Sequence, residues 1–185
     1  MNEETSHKSS FNLKAIFKEV LLFAVIAVGI VLPFRAYVAE PYLVDGRSMF
    51  PTFNTGDYLI VKKFWSESHT FERNSVIVFK YPNDTSKSFI KRVIGLPGEK
   101  VSIRNGVVTI MNSESPDGIV LDEPFVEKFA STNYEVELSG DEYFVMGDNR
   151  LESFDSRSWG PLKKSYILGK PFVQLLPISK IQILK

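Results

Sequence analysis

The first nineteen residues, MNEETSHKSSFNLKAIFKE, begin polar and become amphipathic, and the stretch that follows, VLLFAVIAVGIVLPF from Val20 to Phe34, carries no charge. That stretch is short of the about 20 apolar residues a helix needs to cross a hydrocarbon core. Lys18 and Arg35 bracket it, and both can snorkel, so Phe17 and the Ala36-Tyr37-Val38-Ala39 segment extend the span. The leading reading is a single membrane anchor at 19–38, a tail at 1–18 and a folded body at 39–185. A cleaved signal peptide is the rival, because the apolar run has the length of an h-region, but the bulky Tyr37 or Phe34 falls where a cleavage site wants a small residue. A buried core helix is the third option. Charge does not orient the segment: Lys8, Lys14 and Lys18 precede it with Glu3, Glu4 and Glu19, while Arg35 and Arg47 follow.

Beyond the run, Pro41 stops any helix and biases Glu40 toward extended backbone. Short apolar stretches then alternate with turn formers: YLV before DGRS, GDYLIVKKF at 56–64, VIVFK at 76–80, SFIKRVIG at 88–95, EYFVMGDN at 142–149 and YILGKPFVQLLPI at 166–178. VSIRNGVVTI at 101–110 predicts a β-hairpin, since Asn105-Gly106 readily supplies the two positive φ angles of a type I′ turn. No stretch after residue 40 sustains a helical period, so the body is mostly β. Roughly 106–140, containing SESPDG, is more acidic and weakly patterned, and reads as an inserted β excursion or a long surface loop. WSESHTFERN at 65–74 reads as a loop.

Composition narrows the function. Lys plus Arg and Asp plus Glu each number 22, which lacks the basic excess that a phosphate backbone requires, so no nucleic-acid partner is expected. With no cysteine there is no disulfide, no thiolate nucleophile and no cysteine-bound metal. Asp57 and Asp148 lack a compact carboxylate loop or a histidine pair, and neither metal nor cofactor is expected.

VDGRSMFPT at 44–52 places Ser48 in a fixed turn, but a bare hydroxyl is a poor nucleophile and needs a base. His7 precedes the apolar run, and His69 reads as an ordinary solvent-facing loop residue. Lysine can serve if burial removes its proton. In SKSFIKRVIG, alternation puts Lys91 on one face with Phe89 and Val93, and Ser88, Ile90 and Arg92 on the other. Periodicity alone leaves two readings of Lys91, a base or a snorkelling side chain at the rim of the core. A third island, VMGDNRLESFDSRSWG at 145–160, is either a tight polar turn with Asx caps and an Asp155-Arg157 surface pair or an orienting shell for a catalytic pair.

Taken together, an N-terminal apolar segment followed by GRSMFPT at 46–52, GDYLIV at 56–61, FIKRVIGLPGE at 89–99 and MGDNRLESFDSRSWG at 146–160 resembles the bacterial type I signal peptidases of the serine/lysine kind. The resemblance covers essentially the whole chain. It implies a signal-peptidase-like β catalytic domain with a small β insertion, preceded by one transmembrane helix. It implies a membrane-bound serine endopeptidase that cuts after Ala-x-Ala, with Ser48 as nucleophile and Lys91 as general base. Ser153 matches the hydroxyl that orients the lysine, Asp155 and Arg157 a structural ion pair, and Gly147 and Asp148 the turn that brings this loop to the site. The oxyanion hole is expected at the Ser48 N–H, shaped by Gly46, where some relatives carry a serine donor that this chain lacks. Met49, Phe89 and Ile90 are the candidate walls of small substrate pockets. Trp65 and Trp159 are candidates for dipping into the membrane interface, with ordinary packing as the alternative. The implied partners are secretory preproteins with signal peptides and a phospholipid membrane. The implied state is a monomer, with its N-terminus cytoplasmic and its body on the extracytoplasmic face. Two other readings compete: a LexA-like self-cleaving Ser/Lys regulator, which would carry a DNA-binding helical segment in place of the apolar run, and a membrane-anchored β binding module.

Overall fold

A computed structural model describes residues 13–33, 38–64, 69–128 and 130–184; the expectations for residues 1–12, for the run's far end at 34–37 and for Trp65 fall outside the described residues. The chain divides between Val38 and Ala39 into two units. In the first, helix α1, Leu13–Ile26, passes directly into a π-helical turn at Ala27–Val31. The turn contains Gly29, a weak helix former. No single helix among the described residues is long and apolar enough to cross a membrane. No residue of α1 or the π turn is buried.

The second unit holds two antiparallel sheets. The larger contains β1 (Ala39–Leu43), β2 (Tyr58–Lys63), β3 (Val76–Tyr81), β4 (Asp84–Gly95), β9 (Glu142–Met146), β10 (Leu162–Lys163), β11 (Ile167–Leu176) and β12 (Gln182–Ile183). Its order is β1-β2-β11-β3-β4-β9-β10, with β12 against β11. Pro41 is accommodated because β1 is an edge strand, where a missing donor breaks no ladder. The smaller sheet comprises β5 (Lys100–Arg104), β6 (Val107–Met111), β7 (Ile119–Val120) and β8 (Tyr134–Glu137), in the order β7-β6-β5-β8. Asn105 and Gly106 link β5 to β6 with φ of 50° and 84°, as the hairpin reading expects.

The small sheet begins at Lys100, upstream of the start expected for the excursion. Strand β5 is flanked on both sides and buries Val101, Ser102 and Ile103 in succession, a pattern that does not announce a change of sheet. Ile94, Phe144 and Met146 from the main sheet join Val101, Ile103, Val108, Ile110 and Leu138 in one shared core. A second core gathers Ile77, Phe79, Val93, Tyr143, Val145 and Leu162, and a third lies beneath the β1–β2 connection.

Trp159 takes its packing alternative, and the solvent-facing reading of His69 needs correction. Trp159 packs half-buried with its ring centroid 5.8 Å from that of Phe79 and 6.0 Å from that of Tyr81, which is ordinary core packing. His69 stacks on Phe64 at 3.9 Å and meets Phe71 edge-on at 5.0 Å, so its ring lies between two aromatics.

Candidate active site

Ser48 sits in the connection from β1 to β2, and its neighbours hold that connection by burial and by local hydrogen bonds. Met49 and Phe53, 1% and 2% exposed, plug into the third core beside Val44 and Leu59. The Phe53 N–H donates to the Met49 carbonyl at 2.9 Å. The base of the loop closes through Val44 N–H to the Asp57 carbonyl and Gly56 N–H to the Val44 carbonyl, both 2.9 Å, and the Asp57 carboxylate caps Asn54 N–H. Gly46 has φ of +97°, while an added Cβ there would meet nothing within 4 Å, so backbone conformation is what calls for glycine. Thr55 Oγ1 accepts from the Gly46 N–H at 3.1 Å and donates to the Gly46 carbonyl at 2.9 Å. That N–H is therefore already engaged.

Strand β4 carries Lys91 to the same place. Phe89 and Val93 belong to the second core, as the alternation expects, and between them Lys91 is 4% exposed. Its Nζ donates to Ser48 Oγ at 2.7 Å and to the Ile90 carbonyl at 2.9 Å, and lies 5.4 Å from the Phe89 ring centroid. Burial pushes the Lys91 ammonium down to about 8, against a partial upward pull from the Asp155 and Asp148 carboxylates. A lysine in that range supplies neutral amine near neutral pH, which a solvated lysine does not.

The loop after β9 closes the site. Asp155 caps helix α2 (Ser156–Trp159) and accepts from the Gly147 N–H at 3.0 Å. Its carboxylate pairs with Arg157 through two bonds of 2.8 Å. Burial would raise the Asp155 pKa, and the bonds from Arg157 overcome that and hold it below the usual carboxylate range. The pair is nearly sealed from solvent, unlike the surface pair of the alternative reading. The Asn149 N–H donates to the Ser48 carbonyl at 3.0 Å. A Cβ on Gly147 would lie 2.3 Å from that carbonyl oxygen and 2.3 Å from Ser153 Oγ, so only glycine lets this turn approach the serine.

The structure brings Ser48, Lys91, Gly147, Asp148, Ser153, Asp155 and Arg157 into one region, but two expected roles differ. Ser153 Oγ is buried without a hydrogen-bond partner among the described residues, so the expected bond to Lys91 is not made. It stands close enough to Asp155 to help keep that carboxylate ionised. Met49 is core beneath the site and does not line the cavity. That cavity, about 120 Å³, runs beside Ser48 and Lys91 between Val44, Leu59, Val78 and the two expected walls Phe89 and Ile90.

Sequence reading missed the Arg92–Asp148 pair. Arg92 Nε donates to Asp148 Oδ1 at 2.8 Å and Nη2 to Oδ2 at 2.6 Å, and Thr52 Oγ1 donates to Asp148 Oδ2 at 2.5 Å. It also missed the buried Arg150–Glu123 pair. Asp148 and Arg92 lie 56 positions apart, and no local pattern couples them. The Lys91-Arg92 dipeptide, which sends adjacent cations to opposite faces of one strand, was the available hint that Arg92 needs its own acid.

Residues 17–176 match the family model described as Signal peptidase, peptidase S26. The chain is 36% identical to the signal peptidase I of Bacillus amyloliquefaciens, over 91% of this chain and 92% of that protein. It is 34% identical to a probable signal peptidase I-2 of Synechocystis sp., over 98% and 83%. A solved signal peptidase I from Enterococcus faecalis V583 is 28% identical with a TM-score of 0.46, covering 55% of this chain and 97% of that one.

Proposed function

Because the chain belongs to the type I signal peptidases, the S26 family of serine peptidases, we propose that Ser48 and Lys91 remove signal peptides from exported preproteins by an acyl-enzyme mechanism. The observation that carries the reading is the 2.7 Å approach of a buried lysine with depressed basicity to a loop serine.

Neutral Lys91 Nζ takes the Ser48 Oγ proton as Oγ bonds to the scissile carbonyl carbon. The carbonyl oxygen becomes an oxyanion, placed against the Ser48 N–H. Collapse breaks the C–N bond, and the Lys91 ammonium returns the proton to the departing amine of the mature protein. Water, deprotonated by Lys91, then attacks the ester, and Ser48 leaves with its proton restored. Gly46 brings no side-chain donor to the oxyanion, and its own N–H already donates to Thr55 Oγ1.

Small side chains beside the dyad are what membership of the family leads us to expect, and the cavity walled by Phe89 and Ile90 is where they would sit. The anchor reading rests on the unbroken succession of α1 and the π turn and on the exposure of every described residue of the apolar run. Lipid would cover that surface, with the catalytic body outside the cytoplasm and the N-terminus within.

The test uses the full chain in detergent with a secretory precursor bearing Ala-x-Ala, and product mass as readout. One cut after the second alanine, lost when either alanine becomes leucine, is expected. An intact precursor, or cutting indifferent to both substitutions, overturns the reading.

A further inference from the structure

The excursion from the main sheet returns through Leu121–Val126, a segment pinned to β6 by the Leu121 N–H, which donates to the Val108 carbonyl at 2.8 Å. It sends two side chains toward the catalytic loop. Glu123 meets Arg150, and both side chains are 2% exposed. Arg150 Nη1 donates to Glu123 Oε2 at 2.9 Å, and Nη2 donates to Oε1. The third donor of the same guanidinium, Nε, reaches the Gly147 carbonyl at 3.1 Å, while Arg157 Nη2 holds the Arg150 carbonyl at 2.9 Å. Two residues beyond Glu123, the Phe125 ring centroid lies 3.9 Å from the guanidinium carbon of Arg92, the partner of Asp148.

Stability alone is a poor reason to bury such a pair. Desolvating both ions cancels most of their attraction, and apolar side chains of similar size often do as well. What an apolar pair lacks is the directed bond to Gly147, the residue packed against the Ser48 carbonyl and followed two positions later by the N–H that holds it. We propose that Glu123 is a positioning residue for the Ser48/Lys91 dyad, acting through Arg150 on the Gly147–Asn149 turn. The excursion is then part of the catalytic support. The proposal rests on the dyad reading above.

Three variants of the full chain in detergent separate placement from stability. Glu123→Gln strips the acid's charge and leaves Arg150 uncompensated. The double variant Glu123→Leu/Arg150→Met replaces the pair with apolar bulk. Val61→Ala opens a gap in the main sheet at β2, at a fully buried residue apart from the Glu123 segment and the turn. For an Ala-x-Ala precursor, Glu123→Gln and the double variant should lower kcat roughly 10- to 100-fold with KM within about twofold. The double variant should melt within a few degrees of wild type, and Val61→Ala should melt lower yet keep kcat within about twofold. A kcat that follows melting temperature across the three, or an unchanged kcat in Glu123→Gln, overturns the proposal.

NMR titration of the Lys91 ε-carbon provides a reading that needs no substrate. Its midpoint should move by about half a unit or more in both pair variants and stay put in Val61→Ala. An unmoved midpoint in the pair variants also overturns the proposal. Should wild type cut no precursor, the function reading fails while this titration still decides the role of Glu123.

Discussion

Lys91 Nζ and Ser48 Oγ meet at 2.7 Å although 43 positions separate them in the chain. One comes from a strand flanked by core residues, the other from a loop pinned by Met49 and Phe53. Only the neutral amine can accept the hydroxyl proton. As burial places the Lys91 titration at about 8, kcat/KM should rise about tenfold per pH unit below that value and level off above it. A rate profile flat between pH 6 and 9 would contradict the assignment of Lys91 as base.

Depressed basicity also has a cost in stability. The lysine titrates at about 8 when folded against 10.5 for the free side chain, so below pH 8 the fold forfeits about 3 kcal/mol. The deficit shrinks as pH rises through 8 and is gone above about 10.5. Lys91→Met, which keeps the apolar stem, should abolish cleavage yet raise stability at pH 7 by about 1–3 kcal/mol. Denaturant unfolding at pH 7 and pH 10 checks both the sign and the decline. A variant less stable than wild type at pH 7 would refute the argument.

Gly147→Ala should be far more damaging than its size suggests. The new Cβ would sit 2.3 Å from the Ser48 carbonyl oxygen, which is backbone and cannot rotate away. Cleavage is expected to fall about 100-fold or more. Adding Ser153→Gly removes the side-chain clash but not the backbone one, so it should not restore activity. Recovery in the double variant would place the constraint at Ser153 instead.

Asp148 is fully buried at its side chain and accepts two bonds from Arg92 and one from Thr52. Asp148→Ala leaves the guanidinium without its acid and should cost about 3–5 kcal/mol. Arg92→Met combined with Asp148→Leu should recover most of that loss. Urea melts of the two variants and wild type decide it, and equal instability of both variants would mean that the cost lies outside the ion pair.

Much of this arrangement is legible in the sequence because it is local. The Asn105-Gly106 turn, the alternation that puts Lys91 with Phe89 and Val93, and the capping Asp155 each declare themselves within a few residues. Partnerships across the sheet do not. Arg92 and Asp148 join only because β4 pairs with β9, with Arg92 opposite Met146. Glu123 lies in the stretch with the weakest pattern, and nothing about its neighbours marks it as buried. Met49 is a candidate pocket wall only through the resemblance, and the turn closed by the Phe50 N–H on the Arg47 carbonyl sends it into the core instead. Strand β5 shows how a doubly flanked strand hides which sheet it serves.

Processing of one precursor by Ser48→Ala and Lys91→Ala, followed by product mass, tests the dyad most directly. Both variants should retain wild-type circular dichroism and lose cleavage by roughly 10³-fold or more. Cleavage by folded Lys91→Ala at the wild-type rate would show that the 2.7 Å contact is not the one that activates Ser48.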